Sequence, residues 1–361
     1  RQRLRALALE WVRLAPDDPD PHETLARILE ATGELSGARV SALSEVSIAR
    51  KLTVASGGES ASNFARKVRL GSDEVRLLLR LTRFANAGLL ADSILAWPVP
   101  DQLEEADQRS ATSLLRTLAA LRGRGLRTIE LSLTPMAPDT VNLPGGAESI
   151  LHPSLVPDHV ALGIYAAFGG PKDSITAMAR RLSDQLPAFF PGRQLEAVRS
   201  AVLLRRMVMA APVTGPGPVA ELEPTSNLFA SALRSLARGD RQQARRFADS
   251  LAELYADNAP GQLTMDVVYR EAWLSTVLGD TAAATELLDH ALGGLSAALP
   301  SVMREPYIAA FLVRVMAFRA ELAARRKEPN IAKYWADAVF HLWGEGDLVT
   351  RSTLDKVRSL R

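Results

Sequence analysis

The run Asp17-Asp18-Pro19-Asp20-Pro21, followed by His22 and Glu23, crowds four carboxylates into seven residues, the donor chemistry of a calcium loop. The central glycine and distal glutamate of such a loop are missing. The same residues suit a helix start, with Asp20 as N-cap, Pro21 at the first helical position and Glu23 three residues after the cap. His152, Asp158 and His159 are a second candidate ligand set, but Pro153 and Pro157 keep them off one regular helical face, and caps or surface polarity also account for them. Ser56-Gly57-Gly58-Glu59-Ser60 has the glycines of a phosphate loop without its lysine or preceding strand, and suits an ordinary connection. Arg234, Arg238, Arg241, Arg245 and Arg246 form a basic face suited to phosphate or an acidic peptide. A solvated helix surface is the plainer reading, since no aromatic partners for base stacking lie nearby. His290 stands alone on an ordinary helix, and Trp273 has the surroundings of a core residue.

No motif in the chain supplies catalysis. There is no Gly-x-Ser-x-Gly elbow, Ser-x-x-Lys, His-Glu-x-x-His, Walker loop, dinucleotide fingerprint or kinase signature, so no catalytic, cofactor-binding or metal residue is nominated. The formal charge is +2, from 43 basic and 41 acidic residues, which does not mark a nucleic-acid binder. Most of the bases are arginine, which is read as GC-rich coding before phosphate recognition. Without cysteine there is no disulfide, thiolate nucleophile or cysteine-ligated metal. No apolar run approaches the roughly 20 residues of a membrane span. The chain opens at Arg1 with neither methionine nor signal pattern, which suggests a piece of something longer, either cytoplasmic or the soluble part of an anchored protein.

The elements that would position any site follow from a repeated spacing. Ala232, Gly239 and Ala244 stand seven and then five residues apart, and Ala272, Gly279 and Ala284 repeat the pattern. Glycine ends one helix in the left-handed conformation, and the alanines sit where two paired helices approach most closely. Ala26, Gly33 and Ala38 make a third copy, and Ala320 and Ala332 a fourth with Lys327 in the glycine position. Ala87 to Leu95 is a degenerate copy. Such hairpins cannot bury their apolar faces alone, so they stack.

The expectation is therefore an all-α, α-solenoid fold of antiparallel helical hairpins. It divides into N-terminal hairpins over 1–133, an irregular Pro/Gly-rich loop over 134–157, degenerate hairpins over 158–211, a linker over 212–224 and clear repeats with a capping helix over 225–361. Residues 61–70 and 73–84 read as two short helices. Residues 126–133 alternate like a strand but, lacking a partner strand, read as helix.

Leu14-Ala15-Pro16, Leu25-Ala26, Leu29, Gly33-Glu34-Leu35 and Ala38 resemble a tetratricopeptide repeat, with His22 where that family carries tryptophan. Tyr269-Arg270-Glu271-Ala272-Trp273-Leu274 and Leu278-Gly279-Asp280-Thr281-Ala282-Ala283-Ala284 look like the tetratricopeptide-like region that follows the kinase domain in large bacterial serine/threonine kinases. Leu236 to Asp240 and the helix from Ala332 to Trp343 add to that likeness. It implies a regulatory or sensory module of a larger protein. The missing catalytic motifs and the stacked hairpins point to a non-catalytic module without cofactor, holding a protein or peptide on the first helices over 22–32, 226–238 and 264–278, with no nucleic-acid or membrane contact of its own. The alternatives are the helical regulatory domain of a transcription activator, or an enzyme with an unfamiliar site.

Overall fold

The computed structural model describes residues 2–32, 34–55, 61–100, 103–133, 140–142, 148–150, 155–190, 192–220, 227–255, 263–295, 302–303 and 305–361. Among these the architecture is all-α apart from one short ribbon. Helix α1 (Gln2–Leu14) precedes the pairs α2/α3 (Pro19–Ala31, Leu35–Ala55), α4/α5 (Ala61–Arg80, Phe84–Leu95), α6/α7 (Glu105–Leu121, Gly125–Leu133) and α8/α9 (Val156–Phe168, Lys172–Phe189). Helices α10 (Arg193–Val198) and α11 (Arg205–Thr214) flank a π-helical turn at Arg199–Leu204, and α12 (Gly217–Ala220) follows. The pairs α13/α14 (Leu228–Ala237, Arg241–Tyr255), α15/α16 (Met265–Val277, Thr281–Gly293) and α17/α18 (Pro306–Arg325, Pro329–Trp343) lead to α19 (Arg351–Arg358).

One turn recurs between paired helices. At Gly239 the φ angle is 79°, Asp240 N–H donates to Ser235 O and Gly239 N–H to Leu236 O, the double bond of a Schellman motif. The same two bonds recur with left-handed backbone at Thr82, Gly123, Gly169, Gly279 and Lys327, and Glu34 N–H reaches Leu29 O in the first hairpin. Asp240 and Asp280 then cap the following helices, accepting from Gln243 N–H and Ala283 N–H. The spacing read from sequence has its physical cause here, since Ala26, Ala232, Ala244, Ala272, Ala284 and Ala320 are wholly buried and Ala332 nearly so. Thr82 completes the degenerate copy, seven residues after buried Val75 and five before buried Ala87. Gly33 lies outside the described residues, and of Ala38 only the helical backbone is described.

Several local expectations are corrected. The first cap is Asp18, whose carboxylate accepts from Asp20 N–H, so Pro19 takes the first helical position. Residues 61–80 form one helix, not two. Gly71 lies inside it because a Cβ there would sit 2.8 Å from Ile94 Cδ1 and 3.3 Å from the Trp97 ring. Within the expected irregular loop, Thr140–Asn142 (β1) and Glu148–Ile150 (β2) pair antiparallel, with Val141 opposite Ser149. Within the expected linker, α11 runs through Pro212 to Thr214, and Val219 of α12 is fully buried against Ala211 and the α13 core. Residues 126–133 are helical, as expected.

The hairpins do not contact only their neighbours in sequence. Helix α17, buried along almost its whole length, packs on α6, α8, α15 and α16, while α18 packs on α5. Trp343 at the end of α18 stacks on Phe168 with ring centroids 5.3 Å apart, and its indole N–H donates to Ala120 O at 3.2 Å. Such an aromatic pair adds about 0.5–1.5 kcal/mol beyond its burial. The last hairpin thereby joins the first half of the chain to the tandem repeats.

Candidate functional site

The first helices of the N-terminal hairpins frame an open groove of about 440 Å³. Asp20, Glu23, Thr24 and Arg27 recur three to four residues apart, which places them on one face of α2. Asp73 and Arg76 of α4 lie opposite, with Trp11 of α1 and Leu114 of α6 at the edges. Glu23 accepts from Arg27 and, at 2.9 Å, from Arg76, which also reaches Asp73 at 3.3 Å. Burial pushes the Asp73 carboxyl up and Arg76 beside it pulls it down. Behind this layer Glu45 of α3 is almost fully buried, 3.7 Å from Arg80. Its carboxyl is raised to about 8, first by burial and then by the charge of Glu23. The outer residues Trp11, Asp20 and Arg27 remain exposed. The arrangement offers paired charges and an aromatic edge for recognition. The carboxylate cluster anticipated as a helix start thus contributes two members, Asp20 and Glu23, to the groove wall.

The other candidates are dispersed. Asp158 accepts from Arg181 at 2.7 Å on the outside of α8 and α9. His159 points inward, and its Nε2 lies 3.1 Å from Arg206 Nη2. Since the guanidinium can only donate, the imidazole accepts and is neutral. Burial and the Arg206 charge lower its pKa to about 3. His152 lies outside the described residues, as does the glycine-serine run 56–60. Among the described residues no group of three or more acidic or histidine side chains is placed to hold a metal.

The basic face needs correction. Arg234 is buried, not exposed, while Arg238 and Arg246 face solvent. Arg241 and Arg245, also at the surface, donate to Val277 O at 2.8 Å and Leu278 O at 2.6 Å, the carbonyls ending α15. Two members of the expected patch therefore join one repeat to the next. Trp273 packs between two apolar clusters, as its sequence context suggests.

Sequence reading missed a set of buried arginines. Arg122 donates to both oxygens of Asp92 at 2.9 and 2.7 Å and, across the molecule, to His341 O at 2.5 Å and Leu342 O. Arg314 donates to Ala166 O at 2.9 Å and the Tyr269 hydroxyl at 2.7 Å, with its guanidinium over the Tyr269 ring. Arg206 lies over the Tyr307 ring, 4.4 Å from its centroid. Their acceptors lie more than 100 residues away for Arg122 on α18 and Arg314 on α8, so no local signal announces them.

Compared with protein-family models and with curated proteins, the chain matches none. Among the described residues no helix is long and apolar enough to cross a membrane. Fold and site define an all-α protein of helical hairpins with a mixed-charge groove.

Proposed function

We propose that this chain is a non-catalytic, tetratricopeptide-like binding module that holds a peptide segment of a protein partner and serves as the regulatory or sensory part of a larger signalling protein, such as a bacterial serine/threonine kinase. The observation that carries the reading is the groove between α2 and α4, where half-buried carboxylates and guanidiniums are held by one another while Trp11 and Asp20 stay open to a ligand and Arg27, bonded to Glu23, keeps part of its side chain at the surface. Recognition by paired charges and an exposed tryptophan suits an extended peptide, because anchors can alternate along it. The recurring Schellman turn supports the same reading, since it folds each pair of helices into the antiparallel hairpin of such repeats.

The test is selection of peptides from a random display library on the whole chain, followed by titration against Arg27→Glu and Trp11→Ala. Selected peptides are expected to lose at least about tenfold in affinity to each variant, the worth of one good anchor. Failure to select any peptide, or peptides indifferent to both changes, overturns the proposal.

A further inference from the structure

The tandem hairpins form a second cavity, half open to solvent and of about 320 Å³, between α14, α15 and α16. That is the lower end of the size range for small-molecule sites. Its floor is apolar and buried, formed by Leu251, Met265, Val268, Leu274 and Ala291. Met265, Val268, Glu271 and Leu274 of α15 all line the cavity, so one carboxylate stands among apolar side chains.

Among the described residues no basic side chain is bonded to that carboxylate. Among the described residues no lysine or arginine lines the cavity. The neighbouring Arg270 is turned onto Asp266, donating to its carbonyl at 3.0 Å and its carboxylate at 3.2 Å, and lies over the Phe229 ring. Among the described residues Glu271 makes no hydrogen bond or ion pair. The groups that face it are Tyr255 from α14, Asp266 and Arg270 from its own helix, and exposed Glu286 and His290 at the mouth on α16. Burial raises the Glu271 carboxyl to about 8, with Arg270 opposing and Asp266 reinforcing the shift.

We propose that this cavity binds a small organic cation with an apolar body, its ammonium centre against the Glu271 carboxylate and its hydrocarbon part on the floor of α14, α15 and α16. An anion would meet two carboxylates, Glu271 and Glu286, and a neutral hydrocarbon would leave Glu271 unpaired. A cation offsets the cost of ionising Glu271, so binding expels a proton wherever that group is still protonated. The inference rests on these three helices alone and stands apart from the peptide reading of the α2/α4 groove.

Benzyltrimethylammonium, a permanent cation, and neopentylbenzene, its neutral carbon analogue, separate the charge from the shape. Calorimetric titration of the whole chain is expected to show the cation binding at least about tenfold tighter at pH 8.5 than at pH 6, as Glu271 ionises. The neutral analogue is expected to bind at least about tenfold more weakly than the cation at pH 8.5, and no tighter there than at pH 6. Glu271→Gln should bring the cation down to the level of its analogue while thermal melting stays at or above the wild-type value. The chain has no cysteine, so Ser275→Cys supplies a single thiol in the cavity, whose alkylation the cation should slow. No binding, equal binding of the two probes, or Glu271→Gln binding the cation as well as wild type overturns the proposal. If either variant fails to fold, the comparison of probes and of pH on the wild-type chain decides alone.

Discussion

Gly88→Ala on α5 separates a simple stack of hairpins from the closed arrangement seen here, because the two demand opposite signs. In an open stack Gly88 would be an ordinary glycine inside a helix, and alanine would stabilise the protein by about 1 kcal/mol. In this structure a methyl at Gly88 would overlap the His341 carbonyl oxygen and lie 2.8 Å from Arg122 Nη1. The carbonyl belongs to backbone near the end of α18 and has no rotamer with which to escape. Overpacking costs about 1–3 kcal/mol, and weakening a hydrogen bond from the charged Arg122 to that carbonyl costs about 1.5–3 kcal/mol. After subtracting the helix-propensity gain, the expected loss is about 1.5–5 kcal/mol. The assay is urea unfolding followed by circular dichroism, with Gly293→Ala as control. Gly293 ends α16, where an added methyl meets nothing within 4 Å, so its substitution should leave stability unchanged or raise it by up to about 1 kcal/mol. A Gly88→Ala protein as stable as wild type, or more so, would refute the docking of α18 on α5.

Two further outcomes follow from single groups. His159 is neutral when folded, with its pKa lowered from 6.5 to about 3, so the unfolded chain binds the extra proton between those values and stability falls as pH drops through that window, by up to about 1.4 kcal/mol per pH unit. Glu45, raised from 4.5 to about 8, acts in the opposite sense, losing its stabilisation as pH rises from 4.5 to 8. Denaturation at a series of pH values should therefore show His159→Gln gaining on wild type toward pH 3 and Glu45→Gln gaining toward pH 8, and parallel curves would contradict both assignments. Lys327 and Thr82 hold φ angles of 60° and 55°, a conformation costing non-glycine residues about 1–2 kcal/mol, so each replacement by glycine should raise the denaturation midpoint, whereas Gly279→Ala should lower it.

What was legible in the sequence was whatever depends on neighbours along the chain. The Ala-Gly-Ala spacing could be read because the size of a side chain at a helix crossing and the left-handed turn between two helices are both settled within a dozen residues. Where local chemistry allowed two answers, it chose rightly over 126–133 and wrongly at the start of α2 and inside α4. Asp18-Pro19 and Asp20-Pro21 satisfy the same capping rule, and the earlier pair is used. Gly71-Ser72 has the composition of a break yet lies inside α4, because the missing side chain admits Ile94 and Trp97. The mixed-charge groove was half visible, since Asp20 and Glu23 stood out while their partner Arg76 lies 53 residues beyond Glu23.

The arginines show why the rest could not be read. Their abundance in the sequence does not predict their positions. Arg122 closes the carbonyl end of α18, Arg314 that of α8, and Arg241 and Arg245 that of α15, each acting on a helix from another hairpin. The last carbonyls of a helix lack partners within it and carry the negative end of its dipole, so a long side chain with several fixed donors satisfies both needs at once. Gly88 and Gly163 do the complementary work, opening room for the His341 carbonyl and for the Arg206 and Tyr307 side chains. Repeats thus specify hairpins, whereas arginines and helix-interior glycines specify which hairpins meet. A search for these contacts in sequence would have to pair a helix-terminal carbonyl with an arginine on an unrelated helix, and neither periodicity nor composition encodes that pairing.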